Sequence, residues 1–383
     1  MHYIRFLKQP RLLPSASAPN QVSAKITITT DLGESFCFET VPLCALLEID
    51  ASGSTSGGGA WRTLASADIV WAAKDGYTGV EVIIPAPNLA RLRHGRVRMV
   101  VKARSDSLDV SAFENCWVQA AEETSGVVAV RSMAINLRPH AEQRPAIQAL
   151  AERVFHAHGK ELHIWEEAGE SIARHIWYGP GPRDAGLILS SYLSFFSPLS
   201  SESGKVYSPP ELPLLQTTLQ KEEFQVLELG AGCGIVGISL ATFFPEAKQV
   251  ILTDLPEASE ILTHNVSLLP SPTNSKISHQ VLDWSLPLPT NIQNTRWDLV
   301  LVADCTYNPD VVPDLVKALG RLTEPGKAEA LVVVAMKVRH ESEAVFFDLM
   351  QDAGFVVKEK AKVPLEVLGA DSEEIEIFGF MRG

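Results

Sequence analysis

From residue 224 to the C-terminus, short apolar runs alternate with segments whose apolar positions recur at helical spacing. Such runs are typical of buried strands, and a recurrence every three or four residues is typical of helices. Strands are predicted at 224–229, 249–254, 278–284, 297–304, 329–336, 355–363 and 373–383. Helices are predicted at 235–244, 256–269, 311–322 and 340–354. This alternation predicts an α/β fold with a parallel sheet, ending in an antiparallel edge pair where no helix separates the last two strands.

The first 140 residues have a different pattern, with short β-branched runs separated by Gly, Pro, Ser and Asp. The predicted strands are 24–30, 34–40, 42–49, 66–73, 79–85, 95–103 and 127–135. Several alternate between apolar and polar residues, which indicates one buried face and favours a sandwich or a small barrel. We find no catalytic constellation among them and interpret this part as a packing or interaction module.

Between these parts, Ile147, Leu150, Ala151, Val154 and Phe155 recur at helical spacing and predict a helix. A connecting stretch with Pro and Gly, 177–186, a second helix at 187–196 and a polar loop at 197–213 follow. We therefore predict a β-rich domain at 1–140, a helical linker region at 141–223 and an α/β core at 224–383.

Charge is unevenly distributed over the 383 residues, whose net charge is −13. Residues 1–140 hold 14 Lys and Arg against 13 Asp and Glu, and residues 141–383 hold 19 against 33. This acidic C-terminal part disfavours a nucleic-acid partner and would attract basic proteins. No apolar run reaches the roughly 20 residues that span a bilayer, so no membrane contact is expected. Five cysteines without a C-x-x-C pair indicate a reducing compartment, the cytosol or the nucleus, and no metal site is expected.

A glycine-rich segment, VLELGAGCGIVG at 226–237, lies where the first strand of the core turns into the first helix. Gly230, Gly232 and Gly234 allow a tight turn and the close approach of a ligand. Ile235 stands where a dinucleotide fingerprint has its third small residue, so a pyrophosphate-binding turn is disfavoured. The arrangement resembles motif I of S-adenosylmethionine (SAM) methyltransferases. Glu228, at the strand end, could hold an ammonium group directly or through water.

The next candidate is Asp254, which ends the second core strand 20 residues after Gly234. A carboxylate at this place can accept hydrogen bonds from both hydroxyls of a ribose, and charged acceptors form strong hydrogen bonds. The alternative is that Asp254 is the N-cap of a helix that opens at Pro256. We favour the ribose because strand, turn and spacing agree.

Polar and aromatic residues also follow the third and fourth core strands. Asp283 could bond an adenine amino group and Trp284 could stack on the ring, although a role in the core and the turn is the alternative. Asp304 could orient an amine acceptor and Tyr307 could line its channel, with an acidic ion-pair partner as the alternative. Trp177 lies upstream in a loop that could fold over the cofactor or act as a hydrophobic staple.

Together these residues resemble one family. Residues from about 165 to 383 are similar to the seven-β-strand protein-lysine methyltransferases, called methyltransferase family 16. The resemblance rests on Trp177 before LILSSYL, on VLELGAGCGIVGI, on LTDLPE with Asn265 in the following helix, on LDW, and on the D/E-x-x-Y/F signature at Asp304 and Tyr307. The Pro-Gly insertion after Trp177 departs from the family pattern.

The resemblance implies a Rossmann-like seven-stranded sheet with its last strand antiparallel, and SAM as cofactor. It implies Asp304 and Tyr307 at the methyl acceptor. The residues predicted to bind SAM are Trp177, Glu228, Gly230, Ala231, Gly232, Gly234, Asp254, Leu255, Asn265, Asp283, Trp284 and Ala303. By this interpretation 224–383 is the methyltransferase core, and 141–223 contains the beginning of the catalytic domain.

The expected function is SAM-dependent methylation of a lysine side chain in a protein substrate. Two alternatives stay open, methylation of a small molecule at nitrogen or oxygen, and a catalytically silent methyltransferase-fold scaffold. The β-rich domain lies outside the resemblance, and it could recognise the substrate or brace the catalytic domain. Nucleic-acid methylation is disfavoured by the acidic charge and by the lack of an N/D-P-P-Y/F motif.

Overall fold

The computed structural model describes most of the chain. The described residues are 1–13, 20–33, 35–50, 61–86, 96–116, 126–136, 150–167, 184–199, 208–270, 276–324, 329–337, 344–365 and 373–383. The loop of Trp177 and the predicted boundary at residue 140 lie outside them.

The N-terminal part is a β-sandwich of two sheets that share one core. The strands are β1 (His2–Leu13), β2 (Gln21–Thr29), β3 (Val41–Asp50), β4 (Trp61–Trp71), β5 (Val80–Pro85), β6 (Arg96–Ala103), β7 (Val127–Val128), β8 (Val130–Ser132), β9 (Ile135–Asn136), β10 (Leu150–Ala157) and β11 (Lys160–Glu167). One sheet has the order β5-β2-β1-β7 and the other β11-β10-β8-β6-β3-β4, with β9 on β6. In β3 the alternate residues Val41, Leu43, Ala45 and Leu47 are buried, as expected for a strand with one face in a core.

Two local predictions for this part are wrong, and one strand was not predicted. The segment predicted as a helix around 147–155 is strand β10 from Leu150 onward, and it pairs with β11 through a turn in which His158 and Gly159 have positive φ. A two-residue turn with positive φ is the usual hairpin connection, and this pairing overrides the helical spacing. Residues 35–40, predicted within a strand, form only an isolated bridge at Phe36. Strand β1 was missed.

The C-terminal part has a seven-stranded sheet in the order β14-β13-β12-β15-β16-β18-β17. Its strands are β12 (Gln225–Leu229), β13 (Gln249–Asp254), β14 (Lys276–Val281), β15 (Leu299–Ala303), β16 (Leu331–Lys337), β17 (Phe355–Leu365) and β18 (Glu373–Arg382). All neighbouring pairs are parallel except those of β18, which is antiparallel to β16 and β17. The predicted Rossmann-like sheet is therefore confirmed. Its order reverses at β12 and β15, and ligands of such sheets bind at the strand ends beside this reversal.

Helices cover both faces of the sheet. They are α1 (Asp184–Phe195), α2 (Pro213–Leu219), α3 (Ile235–Phe243), α4 (Ser259–Ser267), α5 (Thr290–Asn294), α6 (Val312–Leu322) and α7 (Ala344–Asp352). Helices α2 and α5 were not predicted. Among the described residues, no helix is long and apolar enough to cross a membrane.

The sandwich packs against the helical layer that holds α1 and α3. Phe113 and Phe155 of the sandwich stack with ring centroids 5.4 Å apart, and Phe113 also meets Phe243 of α3. Buried polar contacts add to this, since the Tyr3 hydroxyl donates to Asp184 (3.0 Å) at the start of α1. Asp184 in turn pairs with the Lys337 ammonium at 3.0 Å. The two parts therefore share a continuous apolar core with buried polar contacts across it.

Candidate cofactor and acceptor site

The main chain turns sharply after β12, and the turn needs glycine for two different reasons. Gly230 and Gly232 have φ angles of 69° and 57°, a left-handed region that residues with a Cβ rarely adopt. A Cβ on Gly230 would collide with Sγ of Cys305. A Cβ on Gly232 would meet nothing within 4 Å, so Gly232 borders open space at the strand ends. The turn is thus packed on one side and accessible to a ligand on the other.

Asp254 ends β13 and is held by main-chain donors. Its Oδ2 accepts the N–H of Gly232 (2.7 Å) and its Oδ1 accepts the N–H of Leu255 (2.7 Å). Burial raises the pKa of Asp254, and the two N–H groups oppose that rise. The short helical turn that starts at Pro256 has no side-chain cap, so Asp254 is not its N-cap. The carboxylate is thus oriented beside Gly232, and Leu255 next to it is partly exposed.

Glu228 lies beneath the turn rather than at its surface. It is 2% exposed, and its Oε2 accepts the N–H of Gly237 in the first turn of α3 at 2.8 Å. Burial raises the pKa of Glu228 to about 8, with a further contribution from the charge of Asp254. Around neutral pH this carboxyl group therefore carries a proton, and a cation placed beside it would favour its release.

Asn265, predicted at the cofactor, bonds to main-chain atoms on two sides. It is 1% exposed in α4, and its Nδ2 donates to the carbonyls of Cys233 (2.8 Å) and Trp165 (2.9 Å). Its Oδ1 accepts the N–H of Trp165 at 2.9 Å. Both amide hydrogens are used, so the structure gives Asn265 a role in holding the glycine turn and no free N–H for a ligand.

The segment after β14 lies next to the same turn. The ring of Trp284 would lie 3.2 Å from a Cβ on Gly230, which places the indole beside the turn. Asp283 is half-buried, and its Oδ1 accepts bonds from the Ser285 hydroxyl (2.7 Å) and N–H (2.9 Å). These two hydrogen bonds lower the pKa of Asp283, which keeps the carboxylate ionised.

The predicted acceptor motif follows β15 and contacts the turn directly. Asp304 is buried, its N–H bonds the Ala335 carbonyl (2.9 Å), and its φ of 54° is a left-handed conformation that is strained for a residue with a Cβ. Sγ of Cys305 lies 3.6 Å from the Leu229 carbonyl oxygen and 3.7 Å from that of Gly230. Tyr307 is half-buried. The acceptor motif is therefore anchored on the glycine turn.

Most predicted site residues thus gather at the ends of β12, β13 and β15. Ala231 bonds the Thr253 carbonyl through its N–H (3.0 Å), and Ala303 ends β15. Sequence reasoning missed two residues of the site, Cys305 and Thr253. The Thr253 hydroxyl donates to the Glu228 carbonyl (2.7 Å). Both residues lie inside motifs that the sequence analysis had identified, and this location is the signal by which they could have been found. Trp177 lies outside the described residues.

Comparison with known proteins agrees with this geometry. The model of the lysine methyltransferase family matches residues 156–353, and the chain belongs to that family. This membership confirms the predicted class and SAM as its cofactor.

Three relatives illustrate the match. A UPF0665 family protein of Schizosaccharomyces pombe is 29% identical over 208 residues, 54% of this chain and 55% of its own length. The protein N-lysine methyltransferase METTL21A of Mus musculus is 29% identical, covering 49% of this chain and 70% of its own. EEF1A lysine methyltransferase 3 of Xenopus tropicalis is 35% identical, and the match covers 49% of this chain and 69% of its own length.

Among solved structures, a SAM-dependent methyltransferase from Methanosarcina mazei is similar with a TM-score of 0.34 and 15% identity, covering 45% of this chain and 98% of its own. The [4+2]-cyclase SpnF also has a TM-score of 0.34, with 12% identity over 44% of this chain and 78% of its own. Likenesses of this size do not bear on the activity.

Proposed function

We propose that this chain transfers a methyl group from SAM to the side-chain amine of a lysine in a protein. The observation that carries the proposal is the contact of the acceptor motif with the glycine turn, where Cys305 packs on Gly230. This contact puts Asp304 next to the turn that, by the resemblance of its glycines to motif I, would hold the cofactor. The names of the METTL21A and EEF1A methyltransferase relatives support a lysine acceptor.

The described residues fit the cofactor. The open space at Gly232 and the oriented Asp254 carboxylate would take the ribose, and Glu228 lies below the turn, where it would face an ammonium group. Trp284, beside Gly230, would stack on the adenine, with Asp283 at its edge. When bound, SAM supplies an electrophilic methyl group on a sulfonium. No cluster of His, Cys, Asp and Glu within the described residues could hold a metal ion.

The acceptor side has to position an amine. A lysine ammonium, with a reference pKa of about 10.4, must lose its proton before its nitrogen can attack. Asp304, 6% exposed, would attract the ammonium, direct its nitrogen towards the turn and pass its proton to water. The ring of Tyr307 would stabilise the cationic reactant and product by a cation–π contact of roughly 0.5–2 kcal/mol.

Charge supports a basic protein substrate. Residues 141–383 hold 33 acidic against 19 basic residues, so the catalytic part attracts a lysine-rich segment. The proposed compartment is the cytosol or the nucleus, because all five cysteines are free thiols. Fluorescence of a tagged chain in living cells checks the compartment, and localisation in a secretory organelle would contradict it.

The test incubates the purified full chain with methyl-labelled SAM and lysate of cells that lack its gene. We expect a discrete labelled protein in which mass spectrometry finds a methylated lysine, and no label with Asp304→Asn. The matched control is Asp310→Asn, an exposed carboxylate in the same loop, which should label normally. Label confined to small molecules would support small-molecule methylation. SAM binding without label in any fraction would support the silent scaffold.

A further inference from the structure

The side chain of Asn265 joins the N-terminal sandwich to the cofactor turn by hydrogen bonds. Asn265 forms two hydrogen bonds with the main chain of Trp165 in β11 and one with the carbonyl of Cys233, inside the glycine turn. The three distances lie between 2.8 and 2.9 Å, and the side chain is 1% exposed. Hydrogen bonds shielded from water in this way are strong and keep their partners in register.

The geometry at Trp165 resembles a strand pairing. Strand β11 is the last in its sheet, so on its outer side the N–H and C=O of Trp165 have no partner among the described strands. The Asn265 amide offers the same donor and acceptor pair as a main-chain peptide and bonds both. The His264 ring meets the Trp165 ring edge-on at 5.4 Å, so α4 and β11 also touch through side chains.

Strand β11 is itself firmly held within the sandwich. The Arg153 guanidinium donates to Oε1 of Glu166 from Nε (2.8 Å) and Nη2 (2.6 Å), and both residues are buried. Its Nη1 also donates to the Ala129 carbonyl at 2.7 Å. A shift of the turn at Cys233 would therefore have to move α4 or strain a strand fixed to the body of the sandwich.

We propose that Asn265 is a positioning residue through which the docked sandwich sets the conformation of the glycine turn and thereby the affinity for SAM. The inference rests on the proposed function, because it assigns the turn to SAM. It gives the edge strand β11 of the sandwich a task at the cofactor that is separate from substrate recognition. By linkage, SAM must also stabilise the contact at Trp165.

The first test measures SAM binding to the full chain by calorimetry well below the unfolding temperature. Asn265→Ala and the isosteric Asn265→Asp should each weaken SAM binding at least about tenfold, because both lose the donor to Cys233. The rate of methylation at saturating SAM should change little. The matched control Asn291→Ala removes an exposed amide that pairs with Gln280, and it should bind SAM as the wild type does.

Asn265→Asp separates the two explanations of a weak variant. It keeps the volume and shape of the side chain but puts an oxygen in place of Nδ2. The two hydrogen bonds that Nδ2 donates to the Trp165 and Cys233 carbonyls then become repulsive contacts between oxygens. A residue that only fills space would tolerate it, so an unchanged SAM affinity in Asn265→Asp overturns the proposal. A lowered unfolding temperature with unchanged affinity overturns it as well.

The second test uses the unaltered chain and does not depend on a variant that folds. Hydrogen exchange is followed with and without SAM, and SAM should slow exchange in a peptide spanning 160–167 as well as in the turn. A peptide from β3, on the far side of the sheet, should not change. Protection confined to the turn and Asp254 overturns the coupling. Absence of SAM binding to the wild type would instead contradict the proposed function.

Discussion

The two halves of the site are held in place by different interactions. At the cofactor end, Glu228 and Asp254 accept main-chain N–H bonds of 2.7 to 2.8 Å, and the surrounding main chain is bonded in turn. At the acceptor end, Asp304 has a left-handed conformation and Cys305 touches carbonyls at 3.6 to 3.7 Å. In the proposed function the first half is a preformed cradle for one constant ligand, whereas the second depends on side chains that would meet the acceptor.

The difference implies that changes in the two halves affect separate steps. A change at the cofactor end should alter SAM affinity, and a change at the acceptor end should alter transfer alone. Single-residue variants test whether SAM binding and methyl transfer are separate in this way.

The largest effect is expected at Asp304. Asp304→Ala removes the group that directs the amine, so the rate of transfer should fall by roughly 10²–10⁴-fold. Calorimetry should show unchanged SAM affinity, because the cofactor cradle is intact. A parallel loss of SAM affinity would show that the halves are not separable.

The next effect is expected at Asp254. Asp254→Ala removes the acceptor for the ribose and the two N–H bonds from Gly232 and Leu255. Charged hydrogen bonds contribute roughly 1.5–3 kcal/mol each, so the Kd for SAM should rise about 100-fold or more. Calorimetric titration measures it, with Asp310→Ala as a surface control. An unchanged Kd would contradict the assignment of the cofactor.

Two neighbouring glycines sharpen the comparison within the turn. Gly230→Ala adds a methyl group that collides with Cys305, so it should lower the free energy of unfolding by roughly 1–3 kcal/mol beyond the backbone strain. The added methyl group of Gly232→Ala would meet open space. This variant should therefore be destabilised only by the backbone strain of a left-handed residue, about 1–2 kcal/mol. Urea unfolding of both variants measures the difference. Equal losses would mean that Cys305 does not constrain the turn.

A separate effect is a pH dependence of stability at Glu228. Because its pKa is raised to about 8 in the folded chain, the folded state keeps a proton that the unfolded chain releases near pH 4.5. This contribution to stability is complete below pH 4.5 and is lost as the pH rises to about 8. The amide of Glu228→Gln does not titrate in this range, so this variant has no such contribution to stability. The unfolding free energy of the wild type should therefore fall relative to that of Glu228→Gln across this range. Urea unfolding at several pH values checks the sign, and parallel curves would refute it.

Local patterns were sufficient for the core of the fold. The apolar runs of β12, β13 and β15 are short and nearly uninterrupted, and the glycines and acidic residues at their ends have fixed spacings along the chain. Parallel strand ends meet at one edge, so the gathering of Gly230, Asp254 and Asp304 follows from order and spacing alone. The class of cofactor could also be predicted from the sequence, through the resemblance of VLELGAGCGIVG to motif I of SAM methyltransferases.

Only the tertiary structure decided what depends on distant partners. Leu150–Ala157 has helical spacing but becomes a strand because β8 and β11 are available as partners. The task of Asn265 is set by Trp165, 100 residues away in the chain, and the contact of Cys305 by a carbonyl 75 residues away. Periodicity reports which face of a segment is apolar, whereas hydrogen-bond partners are selected only when the whole chain packs.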